Sequence, residues 1–143
     1  GTTYLLRWAL CWLSDSYLSK GQVDQALDAA ARALTLSSPG SDAYGESRAT
    51  RCYGDALFRK DPRRLAEAER NVESAIRLQL DKGMRPQAAI SFVSHARLLR
   101  ARNEDEDARR LLDRADKLFE EMEMSWHRRV VADMLTTLPG GST

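Results

Sequence analysis

Outside the common acids and bases, the residues able to do chemistry are Cys11, Cys52, His95 and His127. A thiolate is a nucleophile or a soft metal ligand, and an imidazole is a base or a ligand. Neither type finds the neighbours it would need. Cys11 and Cys52 lack CxxC spacing and each falls inside a helical pattern. They are expected to be small buried or half-buried thiols in a reducing compartment, rather than a disulfide or a metal site. His95 and His127 lie on different helices with no ligand pattern joining them, and His95 is expected in the core, hydrogen-bonded by a neighbour. Glu104, Asp105, Glu106 and Asp107 crowd one helix start and point in different directions, which suits a helix dipole better than acid–base catalysis. There is no glycine-rich phosphate loop, and no serine or cysteine sits in a nucleophile motif. The chain is therefore expected not to be an enzyme, with no catalytic residue, no metal and no cofactor.

The elements that position these side chains are organised by an internal repeat. In Leu65–Leu78, the residues Leu65, Ala68, Val72, Ala75 and Ile76 share one helix face. Ala68 and Ala75, seven apart, recur upstream as Ala26 and Ala33 and downstream as Ala108 and Ala115. The offsets are 42 residues (26 to 68) and 40 residues (68 to 108). Small residues at that spacing let a second helix approach to the short end of about 8–10 Å.

In chain order, a first helix is expected over about 4–19. Its core stripe is Leu6, Leu10, Leu13 and Tyr17, with Leu5, Trp8 and Trp12 on the adjoining side. Lys20-Gly21 ends it. A second helix runs from Val23 to about Leu36, and Ser37-Ser38-Pro39-Gly40 breaks the pattern. Ser41 or Asp42 caps a third helix, to Lys60, with Thr50, Tyr53, Gly54 and Leu57 on one face. Gly54, in mid-helix, implies a crossing too close for a side chain. Asp61-Pro62 starts the fourth helix, which Lys82-Gly83 ends. The fifth, about 86–102, faces Phe92, His95, Ala96 and Leu99 inward. The sixth runs to about Glu123, and a seventh from Ser125 carries the stripe Trp126, Val130, Val131, Met134 and Leu135. Pro139-Gly140-Gly141 closes the fold and leaves residues 139–143 as a loose tail. The expectation is one all-α domain over residues 1–138, with helix pairs at about 4–37, 42–82 and 86–123 and a capping helix at 125–137.

Composition narrows the function classes. The chain has 143 residues, a net charge of +1, 30% charged and 43% apolar residues, which fits a soluble globular domain. Arginine outnumbers lysine eighteen to four, but acids are interleaved throughout, so no basic field for nucleic acid or anionic lipid arises. Apolar runs are only a few residues long, so no membrane span is expected, and no signal peptide is recognisable. A cytoplasmic location follows as an expectation. The chain opens Gly-Thr-Thr and is expected to be an excised or tagged piece of something longer.

These pairs resemble tetratricopeptide repeats. The first-helix sets are Leu10, Leu13, Ser14 and Tyr17; Thr50, Tyr53, Gly54 and Leu57; and Phe92, His95, Ala96 and Leu99. Their second-helix partners are Ala26, Ala30 and Ala33; Ala68, Val72 and Ala75; and Ala108, Leu112 and Ala115. The likeness covers roughly residues 7–120. The repeat is longer than the usual 34 or so residues, the closing proline is absent, and the middle copy has a longer turn. Long repeats ending in a phrase such as Leu118–Trp126 are similar to C-terminal helical regions of bacterial nucleotide cyclases and ATPase-linked transcriptional regulators.

The resemblance implies a right-handed α-solenoid whose first helices line a concave groove for a peptide or sister domain. By register, the groove residues are Trp8, Cys11, Trp12 and Asp15; Arg48, Arg51, Asp55 and Arg59; and Val93, Arg97 and Arg100. Cys11 and Asp15 stand where relatives that grip a peptide carboxylate carry a lysine and asparagine clamp, so that clamp is absent. Two readings of the arginines stay open: they bind a partner, or they bridge repeats, as Asp15 with Arg51 or Asp55 with Arg97. The alternative to a peptide-binding module is a structural or dimerisation module. Leu5, Trp8 and Trp12 would then pack on an upstream domain or a second copy. The expected partner is a protein or peptide, including a homodimer, and neither nucleic acid nor a membrane.

Overall fold

The structure, a computed structural model, describes residues 2–37 and 42–139. It contains α1 (Thr2–Ser19), α2 (Val23–Thr35), α3 (Ala43–Lys60), α4 (Leu65–Asp81), α5 (Arg85–Ala101), α6 (Asp105–Glu121) and α7 (Ser125–Thr137), with a 3₁₀ turn at Pro62–Arg64. The described residues form no strand, and none of their helices is long and apolar enough to cross a membrane. The chain divides into two compact units, Gly1–Gly83 and Met84–Thr143.

Helix ends follow local chemistry. Gly21 (φ 77°) ends α1 with two carbonyls satisfied: Gln22 N–H donates to Tyr17 O at 2.9 Å and Gly21 N–H to Leu18 O at 3.1 Å. The same paired bonds close α5 around Asn103 (φ 64°) and α6 around Glu123 (φ 57°). Asparagine is tolerated in this left-handed conformation, whereas glutamate rarely adopts it. Asp61 caps the 3₁₀ turn through its carboxylate and Arg63 N–H, so Asp61-Pro62 begins that turn and α4 follows at Leu65. Asp42 occupies the N-cap of α3 without a capping side-chain bond, because its carboxylate pairs with Arg7 instead. Ser41, the other expected cap, and Ser38-Pro39-Gly40 lie outside the described residues.

In the first unit α1 pairs with α2, α2 packs on α3 and α3 pairs with α4, and α1 also touches α3. Leu10, Cys11, Ala29, Ala30, Ala33, Ala49 and Cys52 form one buried cluster, with Leu13, Leu34, Leu36 and Tyr53 against it. The core side of α1 therefore differs from the expected stripe. Arg7, Leu10, Cys11 and Ser14 are buried, whereas Leu6 is exposed and Leu13 and Tyr17 are only half-buried. Small Cys11 and Ser14 let α2 and α3 come close, and Ser14 Oγ donates to Ala26 O at 2.8 Å. Between α3 and α4 the close approach is at Gly54. A Cβ there would lie 3.0 Å from Ala68 O and 3.0 Å from Val72 Cγ2.

In the second unit α5 pairs with α6, and α7 packs on α6. Phe92, Ala96, Leu99, Ala108, Leu112, Ala115, Phe119 and Val131 are buried. The Arg114 guanidinium lies 4.4 Å over the Phe92 ring. Arg128 ties α7 to Asp116 and Glu120 of α6, and His127 stacks on Phe119 at 4.9 Å. Trp126 departs from the expected stripe and is exposed; Val131 is the residue α7 buries fully. Pro139 is tied down, because Arg109 Nη2 donates to its carbonyl at 3.2 Å, while 140–143 lie outside the described residues.

Gly54→Leu is expected to destabilise the protein by at least about 1–3 kcal/mol through overpacking against α4. An unchanged urea midpoint would show that the helices do not meet there.

Candidate functional site

A polar constellation forms where α1 crosses α3. On α1, Cys11 and Asp15 are one turn apart. On α3, Arg48, Arg51, Cys52 and Asp55 fall at spacings of three and four, which stacks them on one helix face. Arg51 is the centre of this group. Its guanidinium donates from Nη1 to Asp15 Oδ1 at 3.1 Å and from Nη2 to Asp15 Oδ2 at 2.9 Å. Nη1 also reaches Asp55 Oδ2 at 2.9 Å. Arg48 approaches the same Asp15 carboxylate at 3.8 Å and donates to Tyr44 Oη at 3.3 Å.

Burial makes this a costly arrangement unless it is fully paired. The Arg51 side chain is 7% exposed, that of Asp55 11%, and that of Asp15 37%. Burial alone would push the Asp15 carboxyl up. The Arg51 guanidinium, with Arg48 and the Cys52 thiol, outweighs it and holds Asp15 below its ordinary 3.8. Burial likewise disfavours the Arg51 charge, but the groups around it hold its pKa well above the usual arginine value.

Two thiols complete the cluster. Cys52 Sγ lies 3.7 Å from Cys11 O and 3.6 Å from Asp15 Oδ1. The Cys52 side chain, helped by Arg48 and Arg51 and against burial, holds the Cys11 thiol below its ordinary pKa, while the Cys11 side chain and burial push Cys52 well above. Both cysteines are free and buried, as their helical setting implied.

The structure thus brings Asp15, Arg48, Arg51 and Asp55 together, and the Asp15–Arg51 bridge forms. Trp8, Trp12 and Leu5 lie exposed on α1. Arg59 is exposed at the end of α3. In the second unit Arg97 is exposed and Val93 buried, while Arg100 donates to Thr137 Oγ1 at 2.8 Å and Thr137 O at 3.2 Å, tying α5 to the end of α7. One buried charge is not evident from the sequence. Arg7 pairs with Asp42 and donates to Leu36 O at 3.2 Å, against Gly45, where a Cβ would collide with the guanidinium. Its signal is positional: Arg7 precedes Cys11 and Ser14 by four and seven residues, on the face that contains them.

Arg51→Met is expected to destabilise the protein by about 1.5–3 kcal/mol at neutral pH, because it removes the guanidinium that bonds both Asp15 oxygens and Asp55. Asp15 has a lowered pKa in the folded chain. Its stabilising contribution is therefore complete above 3.8 and is lost as pH falls through the folded value. Stability measured by urea unfolding should show the wild-type advantage shrinking below about pH 4. A loss under about 1 kcal/mol at neutral pH would mean that the carboxylates find other partners.

No protein-family model, no curated protein and no solved structure matches the chain.

Proposed function

We propose that the chain is a non-catalytic protein-interaction module, built as a right-handed α-solenoid of three tetratricopeptide-like pairs with a capping helix. In this reading its first helices receive a peptide or sister domain, and the module serves a larger bacterial signalling or regulatory protein in the cytoplasm. The observation that carries the reading is the open side of α1, where Leu5, Trp8 and Trp12 are 64%, 46% and 56% exposed. Two tryptophans and a leucine on one helix side exceed scattered surface apolarity, and tryptophan is the residue type most enriched where interfaces bind hardest. The charged cluster beside them supports a non-catalytic role. Arg51 and Asp15 are spent on each other, and both thiols are closed off from solvent. The repeated alanine pairs, all six residues buried, support the repeat architecture.

A second reading, homodimerisation or extension of a longer array through the Trp8 and Trp12 side of α1, rests on the same exposed side chains.

Panning a displayed peptide library on the isolated chain, beside a Trp8→Ser, Trp12→Ser double variant, tests the first reading. An enriched peptide family that binds the double variant at least tenfold more weakly (about 1.4 kcal/mol), with melting unchanged, is the expected result. Peptides that bind both proteins equally would remove α1 as the site. Sedimentation of the wild-type chain over a concentration series tests the homodimer, since a monomer throughout removes self-association and leaves the array contact alone.

A further inference from the structure

Cys11 and Cys52 are the nucleophilic groups that an interaction surface leaves unused. They are 41 positions apart, yet they meet in one buried cluster, with Cys52 Sγ 3.7 Å from the Cys11 carbonyl oxygen. Each thiol belongs to a different helix, so a bond between them would join α1 to α3. Their surroundings are unequal. The Cys52 side chain and, after it, Arg48 and Arg51 hold the Cys11 thiol below its ordinary pKa against burial, while Cys52 is pushed up and donates to Cys11 O and Asp15 Oδ1. A thiol of lowered pKa beside one of raised pKa is the arrangement of an attacking and a resolving thiol.

We propose that Cys11 and Cys52 are a redox modification site, at which hydrogen peroxide closes an intrachain disulfide between α1 and α3. In the first step the Cys11 thiolate attacks one peroxide oxygen. The O–O bond breaks, Cys11 becomes a sulfenic acid, and the departing hydroxide takes up a proton to leave as water. In the second, the Cys52 sulfur attacks the Cys11 sulfur as its own proton passes to the departing hydroxide. The S–O bond breaks, the S–S bond forms, and a second water leaves. Two thiols and one peroxide thus give one disulfide and two waters, with two electrons passing from sulfur to oxygen. Both thiols are buried, so peroxide reaches them only through a local opening of the α1–α3 contact, and reaction is slower than at an exposed low-pKa thiol. The product pins the helix carrying Trp8 and Trp12 to α3. This inference does not depend on those tryptophans binding anything.

The test uses the whole chain, folded and reduced, exposed to hydrogen peroxide and then unfolded in N-ethylmaleimide for intact mass measurement. The expected product has lost two hydrogens, takes up no maleimide, yields a linked peptide pair containing Cys11 and Cys52, and reverts with dithiothreitol. Cys52→Ser is expected to stop at a sulfenic acid on Cys11 that dimedone traps, while Cys11→Ser keeps its remaining thiol over the same time. Full alkylation of both cysteines after exposure would overturn the proposal, as would disulfides only between chains. Closure no faster in the folded chain than in the urea-unfolded chain would also overturn it, because the fold would then contribute nothing to the reaction.

Discussion

Close approach of neighbouring helices is the constraint on which both units depend. Ala26, Ala33, Ala68, Ala75, Ala108 and Ala115 are all essentially inaccessible, at the same two positions of α2, α4 and α6. A helix with alanine at those positions presents a shallow groove instead of a ridge, so its partner settles in at short interaxial distance. The partner must then be small where it meets that groove, which accounts for Ser14 on α1, Gly54 on α3 and Ala96 on α5. Large side chains fill the gaps on either side, such as Leu57, Val72, Phe92, Leu112 and Phe119. Packing of this kind gains dispersion contacts in number rather than depth of burial per side chain.

The polar cluster between α1 and α3 follows from the same constraint. With Cys11, Ala49 and Cys52 at the contact, the two backbones lie close enough for Asp15 to reach Arg51 with both carboxylate oxygens. A bidentate bond of this type fixes direction as well as distance. It forms at one rotation of α1 about its own axis, the one that also buries Leu10, Cys11 and Ser14. That rotation leaves Leu5, Trp8 and Trp12 outward and sinks Arg7 inward onto Asp42.

Much of this is legible in the sequence, and the parts that are not share a physical cause. Helix starts and stops are carried by Gly21, Gly83, Asn103 and Asp61-Pro62, whose backbone preferences act locally. The alanine pairs and Gly54 are readable because a small residue recurring in mid-helix points directly to a close neighbour. The core side of α1 is harder to read, since hydrophobicity favours Leu6, Leu13 and Tyr17, whereas helix proximity selects Cys11 and Ser14. Arg7 shows the same limit: its burial depends on Asp42, 35 residues away, and on the space left by Gly45. Trp126 reads as core by its type, but His127 holds the place against Phe119 and leaves the indole outside. Within the candidate site, the Asp15–Arg51 bridge is one of two readings the sequence leaves open, because charge spacing alone does not choose between a partner and an internal bridge.

The most direct measurement of the central constraint is urea unfolding of eight alanine-to-leucine variants. Six are at the paired positions, and two, Ala66→Leu and Ala132→Leu, are at exposed helical sites. The six are expected to lose about 1–3 kcal/mol each from overpacking, and the two controls to stay within about 0.5 kcal/mol of wild type. Equal, small effects at all eight would contradict the account, because the helices would then have room to spare at the paired alanines.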